Sequence, residues 1–575
     1  MKTKEIISKT VIIYPETAAL TAILLLFLAF CPLSVIAQEG LKAPQRPDNF
    51  KPYIYEKSTQ QLKEETKEHR TRAAQEMADM EKVIYDGPYK PTFASLSNHH
   101  TPEWYQDAKF GIALNYGLYS LVGYGAQGYG GNYYTDTYLD HIYKESTKGE
   151  YYTKHWGEDF EKDDFIQYFN AEEVNADEYI QLFKSSGAKY FVQFNMHRST
   201  GMLLWNSSFT YRDAVDMNPH RDLAGEFVQA CRKYDLPYGF YLNLEDSYYP
   251  LLNENGQIQV REWTFLDENQ RAVNGSFETT HPYNPDTYAR RLQGKIPVND
   301  YVDDYLLPAS KEFIDKYEPD YLWFDGGWKR PAWYYKSHEI VAYYYNKFEG
   351  EKDIMVNARM GNDLYGKLGD VIISEGGQVD DYETLDTWEE IRPFGKNFAY
   401  DWRENDGNIN SSSELIHMLV RNVAQGGNLL LVVAPDGKGV IPDYQLTRLS
   451  DMGKWLETNG EAIYQTRQTP WVSEESILGK NVYYTQSKDE KYTYAICLKL
   501  DDAELILSKV KAKQGSEIKL LGYDEPLFWR NLPWGLTIQV PEEMQDVSNL
   551  PGGFAWVFKF ESIGDNAKKP SIQAE

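Results

Sequence analysis

The feature that most constrains the fold of this chain is an alternation of short apolar runs with amphipathic stretches from Phe110 onward. Eight runs have the composition of strands: FGIALNYG, YFVQFN, PYGFYLNLED, YLWFDGG, IMVNAR, VIISEGG, NFAYDW and NLLLVVAPD. Several intervals between them have helical patterns, such as NADEYIQLFKSSGAKY, in which Asn175 is a candidate N-cap and Gly187 a stop. Alternating strands and helices indicate a parallel sheet of the α/β class. Eight such units predict a (β/α)8-like barrel.

The pattern changes near Gln465. Six short strand-like runs follow, separated by polar turns and without helical period: NVYYTQ, KYTYAICLKL, AELILSKV, SEIKLLGY, GLTIQVP and GFAWVFKFE. Such spacing is typical of an antiparallel β-sandwich. We therefore expect a barrel over 89–464, a C-terminal β-sandwich over 465–565 and a frayed tail over 566–575.

The first 37 residues differ from the rest of the chain. Three lysines precede the apolar run AALTAILLLFLAF, and Ala37 closes a small-residue cleavage pattern before Gln38. This predicts a signal peptide over 1–37 and a secreted or periplasmic mature chain that starts near Gln38. A retained membrane anchor is the alternative, because the run is just long enough to span a bilayer. Residues 38–88 are expected to form a lead-in segment with a charged, solvated helix.

Composition narrows the classes of partner. The chain has 59 basic and 86 acidic residues, a net charge of −27, which opposes binding to nucleic acid or to an anionic membrane. After the leader, Cys231 and Cys497 remain, and no Cys/His spacing is typical of zinc, so we expect no disulfide framework and no metal. The 46 Tyr and 14 Trp are more than a core alone requires, and aromatic rings suit the faces of sugars.

Carboxylates recur where the predicted strands end. Asp325 closes YLWFDGG, Glu375 closes VIISEGG, and Glu245 and Asp246 close YLNLED. In a (β/α)8 barrel the active site lies at the carboxyl ends of the strands, and glycoside hydrolysis uses two carboxyl groups. The pattern favours a glycosidase, although an acid before a glycine can also simply cap a turn or helix.

Longer segments carry a family resemblance. YKPTFASLSNHHTPEWYQDAKFGIALNYG, FNAEEVNADEYIQLFKSSGAKYFV, HRDLAGEFVQACRKYDLPYGFYLNLEDSYY, YLWFDGGW and GGNLLLVVAPDGKGVIPDYQLTRLSDMGKWLETNGEAIY resemble, in order, motifs of the retaining α-L-fucosidases of glycoside hydrolase family 29. The resemblance covers roughly residues 89 to 465. It implies a (β/α)8-like catalytic domain followed by a β-sandwich. It also implies exo-acting release of terminal α-L-fucose, or a closely related α-L-sugar, from oligo- or polysaccharides through a covalent glycosyl–aspartate intermediate, without a cofactor.

The resemblance assigns roles to individual residues. Asp325, in the family's WxD context, is the nucleophile. Glu375 follows Asp370 at the family spacing and is the acid/base, with Asp386 as the alternative. This chemistry requires an ionised Asp325 and a Glu375 of raised pKa, with a carboxyl separation of about 5 to 5.5 Å. Arg359 of VNAR falls on a sugar-contacting arginine, with an ion pair inside the barrel as the alternative.

The predicted substrate-binding positions depart in part from the family pattern. They are Asn115, Tyr116, His197, Arg198, Tyr241, Trp323 and Arg359. Asn115 replaces a histidine, Arg198 replaces one histidine of a pair, and Ala113 stands where the family often has Phe. The loss of that aromatic ring is expected to open volume beside the sugar, so an α-L-galactosidase acting on algal galactan fragments is an alternative. Arg198 suits sulfate on such a fragment, or else it pairs with a neighbouring acid.

Two readings from other classes remain. One is an inactive carbohydrate-binding protein on a degenerate glycosidase scaffold, which the lost histidines make possible. The other is a structural surface protein in which the β domain carries the interaction. Both proposed catalytic carboxylates are present, which argues against the first, and the second predicts that Asp325→Asn leaves function untouched. The sequence leaves open the linkage, the oligomeric state and the role of the C-terminal domain.

Overall fold

The computed structural model describes most of the chain from residue 43 onward. The described residues are 43–51, 59–125, 147–160, 162–197, 202–210, 212–244, 260–266, 272–278, 302–326, 330–375, 387–479, 481–500, 502–550 and 552–563. The predicted signal peptide, the tail, Arg198 and Asp386 lie outside them. Within these ranges no helix is both long enough and apolar enough to cross a membrane.

Eight parallel strands form the barrel. The first ten strands of the chain are β1 (Phe110–Leu114), β2 (Phe191–Met196), β3 (Tyr238–Asn243), β4 (Val260–Leu266), β5 (Ala272–Glu278), β6 (Tyr321–Asp325), β7 (Met355–Val356), β8 (Ile372–Ser374), β9 (Trp388–Pro393) and β10 (Asn428–Val433). Strands β4 and β5 pair with each other as an antiparallel hairpin, and the others form one sheet in the order β7-β6-β3-β2-β1-β10-β9-β8. Its two edges meet at a parallel bridge between Asn357 and Val371, where the Ala358 N–H donates to the Val371 carbonyl at 2.8 Å. The predicted barrel is confirmed.

Helices occur along the chain between the barrel strands, before the first of them and after the last. They are α1 (Thr59–Asp86), α2 (Phe93–Leu96), α3 (Glu103–Ala108), α4 (Tyr119–Val122), α5 (Thr147–Trp156), α6 (Ala176–Ser185), α7 (Leu223–Lys233), α8 (Leu307–Tyr317), α9 (Ala332–Tyr335), α10 (Ser337–Phe348), α11 (Ser412–Ala424) and α12 (Asp443–Asn459). The predicted start and stop of α6 are confirmed, since the Asn175 side chain accepts from the Glu178 N–H and Gly187 has a φ of +97°. Helix α1 is present, but it is less solvated than expected because Ala73, Met80 and Ile84 are buried.

The seventh barrel strand was predicted wrongly. NFAYDW is not a strand; within it Asn397 Nδ2 donates to Asp401 across a turn at 2.7 Å. The seventh strand is instead β9, with the sequence WEEIRP, and its two glutamates make it look polar in the sequence. Glu389 is buried in the barrel interior, and Glu390 accepts a hydrogen bond from Asn422 of α11 at 2.7 Å. Both charges have hydrogen-bond donors, so a strand that looks polar in the sequence is buried on both faces.

The barrel interior is filled by side chains from alternate strand positions. One cluster of buried residues contains Ala113, Tyr190, Phe194, Tyr241, Tyr321, Trp323, Met355, Ile373, Phe398 and Val432, among others. Gly111 makes room for one of them, since a Cβ there would lie 2.3 Å from the Tyr190 ring. Because side chains alternate along a strand, residues two apart share this interior face. The interior row of β6 therefore ends at Asp325, at the carboxyl end of the barrel.

The C-terminal segment is an antiparallel sandwich, which confirms the second part of the fold prediction. Its strands are β11 (Thr466–Glu475), β12 (Asn481–Ser487), β13 (Thr493–Cys497), β14 (Glu504–Leu507), β15 (Lys519–Leu520), β16 (Trp529–Leu532), β17 (Gly535–Gln539) and β18 (Trp556–Phe560). They form a five-stranded sheet, β11-β12-β13-β18-β15, and a three-stranded sheet, β14-β17-β16. Along β13, Ala495 and Cys497 face the sandwich interior, while Tyr494 and Ile496 join the core cluster that contains Trp455 of α12.

Candidate active site

Asp325 is the last residue of β6 and lies at the mouth of the barrel. Gly326 follows with a φ of +75°, a conformation that glycine adopts readily, and the rest of the predicted turn lies outside the described residues. The Asp325 side chain is 20% exposed, whereas Trp323, two residues earlier on the same interior face, is 1% exposed. Trp323 is thus part of the core, whereas Asp325, the next residue on the same face, has a carboxylate that solvent can reach.

One guanidinium joins Asp325 to Glu375. Arg359 Nη1 donates to Asp325 Oδ1 at 3.1 Å, and Nη2 donates to Glu375 Oε1 at 2.7 Å. The Arg359 side chain is 2% exposed, while that of Glu375 is 31% exposed. Burial acts to lower the pKa of Arg359, but the negative charges of Glu375 and Asp325 outweigh this effect, and the net pKa is raised. The arginine is therefore a fixed cation between two accessible acids.

The second oxygen of Asp325 accepts hydrogen bonds from β3. Tyr241 donates its hydroxyl to Oδ2, and Asn243 Nδ2 approaches the same oxygen at 3.3 Å. Tyr241 and Asn243 are two residues apart and share the interior face of the strand. Both Asp325 oxygens thus accept hydrogen bonds from residues on or just after neighbouring strands of the barrel.

Glu375 lies just after β8, and the strand is anchored at its other end. Asp370 is buried and accepts hydrogen bonds from Tyr345 at 2.9 Å and from the Val356 N–H at 2.8 Å. His99 Nδ1 lies 2.7 Å from the other oxygen of this carboxylate. Asp370 therefore fixes the start of the strand that carries Glu375, on the side of the barrel away from the two acids.

A stack of aromatic rings supports the site from below. The Tyr241 ring lies 3.8 Å from the Phe194 ring and 5.2 Å from the Trp323 ring, centroid to centroid. His197 stacks on Tyr241 at 5.9 Å and is 6% exposed. Because these rings are close-packed, the Tyr241 hydroxyl is held in a fixed position against Asp325.

Asn115 is engaged within the protein. It is 0% exposed, its Nδ2 donates to the Phe398 carbonyl at 3.0 Å, and its Oδ1 accepts from the Tyr119 hydroxyl. The Tyr119 ring meets His197 edge-on at 5.5 Å. Ala113 is also 0% exposed and belongs to the interior cluster that includes Phe398, so the volume expected to open at Ala113 is not open to solvent.

Tyr116 lies on the other side of β1. Its hydroxyl donates to the Gly437 carbonyl at 3.2 Å, and its ring packs on Phe169 at 5.0 Å. Residues two apart share a face, so Tyr116 is grouped with Leu114 in the outer core rather than with the interior row. The structure does not bring Tyr116 to the two acids.

Six of the predicted residues come together at the barrel mouth: Asp325, Glu375, Arg359, Tyr241, Trp323 and His197. Sequence reasoning missed Asn243, Asn357, Tyr119 and Glu389 as parts of this region. The spacing of two along β3 could have identified Asn243 from Tyr241. The same spacing links Asn357 to Arg359.

Comparisons with known proteins agree with this arrangement. A family profile described as alpha-L-fucosidase matches residues 76–461, and one described as the alpha-L-fucosidase C-terminal domain matches residues 475–561. An alpha-L-fucosidase of Dictyostelium discoideum is 30% identical over 444 residues, which cover 76% of this chain and 87% of that protein. The plasma alpha-L-fucosidase of Homo sapiens is 28% identical over 482 residues, covering 83% and 93% of the two chains.

A solved structure shows the same architecture. The alpha-fucosidase of Thermotoga maritima, in complex with a mechanism-based inhibitor, superposes with a TM-score of 0.65 at 29% identity. The match covers 82% of this chain and 100% of the other. The first profile alone spans more than half of the sequence and includes both acids and Arg359. The chain therefore belongs to the α-L-fucosidase family of glycosidases.

Proposed function

We propose that the protein is an exo-acting, retaining glycosidase that releases terminal α-L-fucose from oligo- or polysaccharides. Asp325 is the nucleophile and Glu375 the acid/base. The observation that carries the proposal is the bridge that Arg359 makes between these two accessible carboxylates. Residues 89–464 carry the chemistry, and no metal or organic cofactor takes part in the proposed steps.

The contacts of Asp325 suit its proposed role. Arg359, Tyr241 and Asn243 supply donors to Asp325, which favours the anion that attacks the anomeric carbon. As the glycosidic bond breaks, Glu375 gives its proton to the leaving oxygen. Glu375 then removes a proton from water, which displaces Asp325 from the anomeric carbon, so two inversions give net retention.

Fucose is the favoured sugar. The case for L-galactose combined volume opened at Ala113, beside the sugar, with the change of hydrogen-bond donors from histidine to Asn115. Ala113 has no exposed surface and belongs to the interior cluster with Phe398, so Ala113 itself gives no support to a larger sugar. The similarity to alpha-L-fucosidases supports fucose as the released sugar.

The first test is hydrolysis of an aryl α-L-fucoside and an aryl α-L-galactoside side by side. We expect faster turnover of the fucoside, with the α-anomer of fucose as the first product seen by NMR. Asp325→Ala should be inactive, and azide should restore turnover by giving β-L-fucosyl azide. Glu457→Gln, on the exposed face of α12, removes a carboxylate far from the strand ends and should leave the rate unchanged. A first product of β configuration would exclude retention, and equal or faster turnover of the galactoside would exclude the choice of fucose.

The leader supports a secreted or periplasmic location. A basic start, an apolar run and a small-residue pattern ending at Ala37 direct export and cleavage. The human relative is named a plasma enzyme. N-terminal sequencing of the exported protein should give Gln38 as the first residue. An intact Met1 in the membrane fraction would indicate the anchor instead.

A further inference from the structure

A buried carboxylate inside the barrel has no part in the chemistry proposed above. Glu389 of β9 is 0% exposed. Its Oε2 accepts from the hydroxyls of Tyr105 at 2.9 Å and Tyr190 at 2.6 Å. Its Oε1 accepts from Trp323 Nε1 at 2.9 Å and from the Tyr321 hydroxyl at 3.3 Å. A buried charge without hydrogen-bond partners is strongly destabilising, so the four donors around this one side chain are needed to keep it there.

These contacts suit the ionised form of Glu389. An ionised carboxylate accepts about four hydrogen bonds, and each oxygen here receives two. The indole N–H of Trp323 can only donate, so the oxygen it faces must accept. Burial raises the pKa of Glu389, and the hydrogen bonds from the surrounding hydroxyls and the indole oppose that effect.

The ring of Trp323 lies between this carboxylate and the proposed catalytic centre. Its N–H bonds to Glu389, and Arg359 Cζ lies 5.1 Å from the ring centroid. A cation over an indole face is attracted by the ring's electrons. A hydrogen bond from the indole N–H to an anion polarises the ring toward greater electron density, because hydrogen bonds in a low-dielectric interior polarise their partners.

We propose that Glu389 is a positioning residue, which holds the guanidinium of Arg359 between Asp325 and Glu375 by orienting and polarising the indole of Trp323. Glu389 touches neither sugar nor reacting atoms. It also bonds Tyr321 and Trp323, the two interior residues of β6 that precede Asp325, so it fixes the nucleophile's strand from across the barrel. The kinetic part of this inference rests on the proposed function.

The steady-state kinetics of single and double variants test whether Glu389 acts through the indole of Trp323. Glu389→Gln should lower kcat on an aryl α-L-fucoside about tenfold with KM within about twofold, since the loss falls on alignment rather than on sugar binding. In a Trp323→Phe background, the same change should alter kcat by less than about twofold. Tyr190→Phe removes a donor from the other oxygen, so it should lower stability comparably while kcat stays near that of the wild type. Additive effects of Glu389→Gln and Trp323→Phe would overturn the proposal.

A second readout needs no activity. The indole 15N–1H signal of Trp323 is the one that disappears in Trp323→Phe. It should move upfield and exchange faster in Glu389→Gln, and move less in Tyr190→Phe. An unchanged signal would overturn the proposal whether or not the enzyme turns over. If the wild type hydrolyses no fucoside, the proposed function fails while this measurement still decides the inference.

If Glu389→Gln fails to fold, a variant that leaves Glu389 intact can test the same contact. Tyr321 and Trp323 both donate to Glu389 Oε1, and Tyr321→Phe removes the first of these two hydrogen bonds. The indole bond to that oxygen should then strengthen and its signal should move downfield. No movement, or an upfield shift, would contradict the proposed contact.

Discussion

The side-chain amide of Asn357 makes two hydrogen bonds with the backbone of Phe324, the residue before the proposed nucleophile. Asn357 Oδ1 accepts from the Phe324 N–H at 2.8 Å, and Nδ2 donates to the Phe324 carbonyl at 2.9 Å. Asn357 also forms the bridge that closes the barrel. A single side chain thus links the end of β6 to the closure of the sheet.

Asn357→Ala should reduce both stability and turnover. Two buried backbone groups lose their partner, which costs about 1 to 3 kcal/mol, and the freed end of β6 lets Asp325 move. Urea unfolding and kcat on an aryl α-L-fucoside measure the two effects. Asn422→Ala, which loses a buried amide bond to Glu390, should cost similar stability with normal kcat. Equal kcat in both variants would show that Asn357 is only structural.

Arg359→Lys should lower kcat/KM strongly. An ammonium group is a compact charge without the planar fork that reaches two carboxylates at once, so one acid loses its partner. We expect a fall of about a hundredfold, from the loss of one charged hydrogen bond, measured as kcat/KM. Arg467→Lys, at the ion pair with Asp107 at 2.7 Å, is the matched control and should keep full activity. Activity within about twofold of wild type in Arg359→Lys would show that the bridge is dispensable.

Tyr241→Phe should slow turnover by about ten- to a hundredfold, because hydrogen bonds to charged groups contribute about 1.5 to 3 kcal/mol. The ring stack with Phe194 and Trp323 is kept, so the loss is confined to the hydroxyl on Asp325. Steady-state kinetics measure it. Tyr179→Phe, which removes a buried hydroxyl bonded to the Gly439 carbonyl, is the control. A normal rate in Tyr241→Phe would exclude a role for this hydroxyl.

Glu404 should make stability fall as the pH rises. Burial raises its pKa from 4.5 to about 7. Its contribution is therefore fully present below about pH 4.5, where both folded and unfolded forms are protonated, and is lost as the pH rises through about 7, by up to about 3 kcal/mol. Glu404→Gln keeps an acceptor for the Lys396 and Asn397 N–H groups. Relative to wild type, this variant should gain stability in urea between pH 4.5 and pH 8. A constant difference would refute the assignment.

Much of the fold could be predicted because its signals are local. Apolar runs and caps identify seven of the eight barrel strands and helix α6. The exception, β9, shows the limit: Glu389 and Glu390 make it polar, and their donors come from residues distant in sequence, such as Tyr190 and Asn422. A pattern within one segment carries no information about such partners.

The candidate site likewise has a part that could be predicted from the sequence and a part that could not. Asp325 and Glu375 follow from strand ends and from resemblance, but the packing around the sugar pocket does not. A short residue at Ala113 suggests space only if nothing else fills it, and Phe398, from a segment predicted as a strand, belongs to the same cluster. The engagement of Asn115 with Tyr119 and Phe398 is equally a matter of tertiary contact.

The closure of the barrel has a consequence for how the two acids can be adjusted. Strands β7 and β8 have two and three residues and meet at the bridge between Asn357 and Val371. Arg359 and Glu375 follow these short strands, whereas Asp325 ends a five-residue strand paired on both sides. The proposed nucleophile therefore ends a strand held on both sides, whereas the proposed proton donor follows a short strand beside the barrel closure. A change of length beyond β8 is therefore expected to move the proposed proton donor relative to the leaving group without moving the strand that carries the proposed nucleophile.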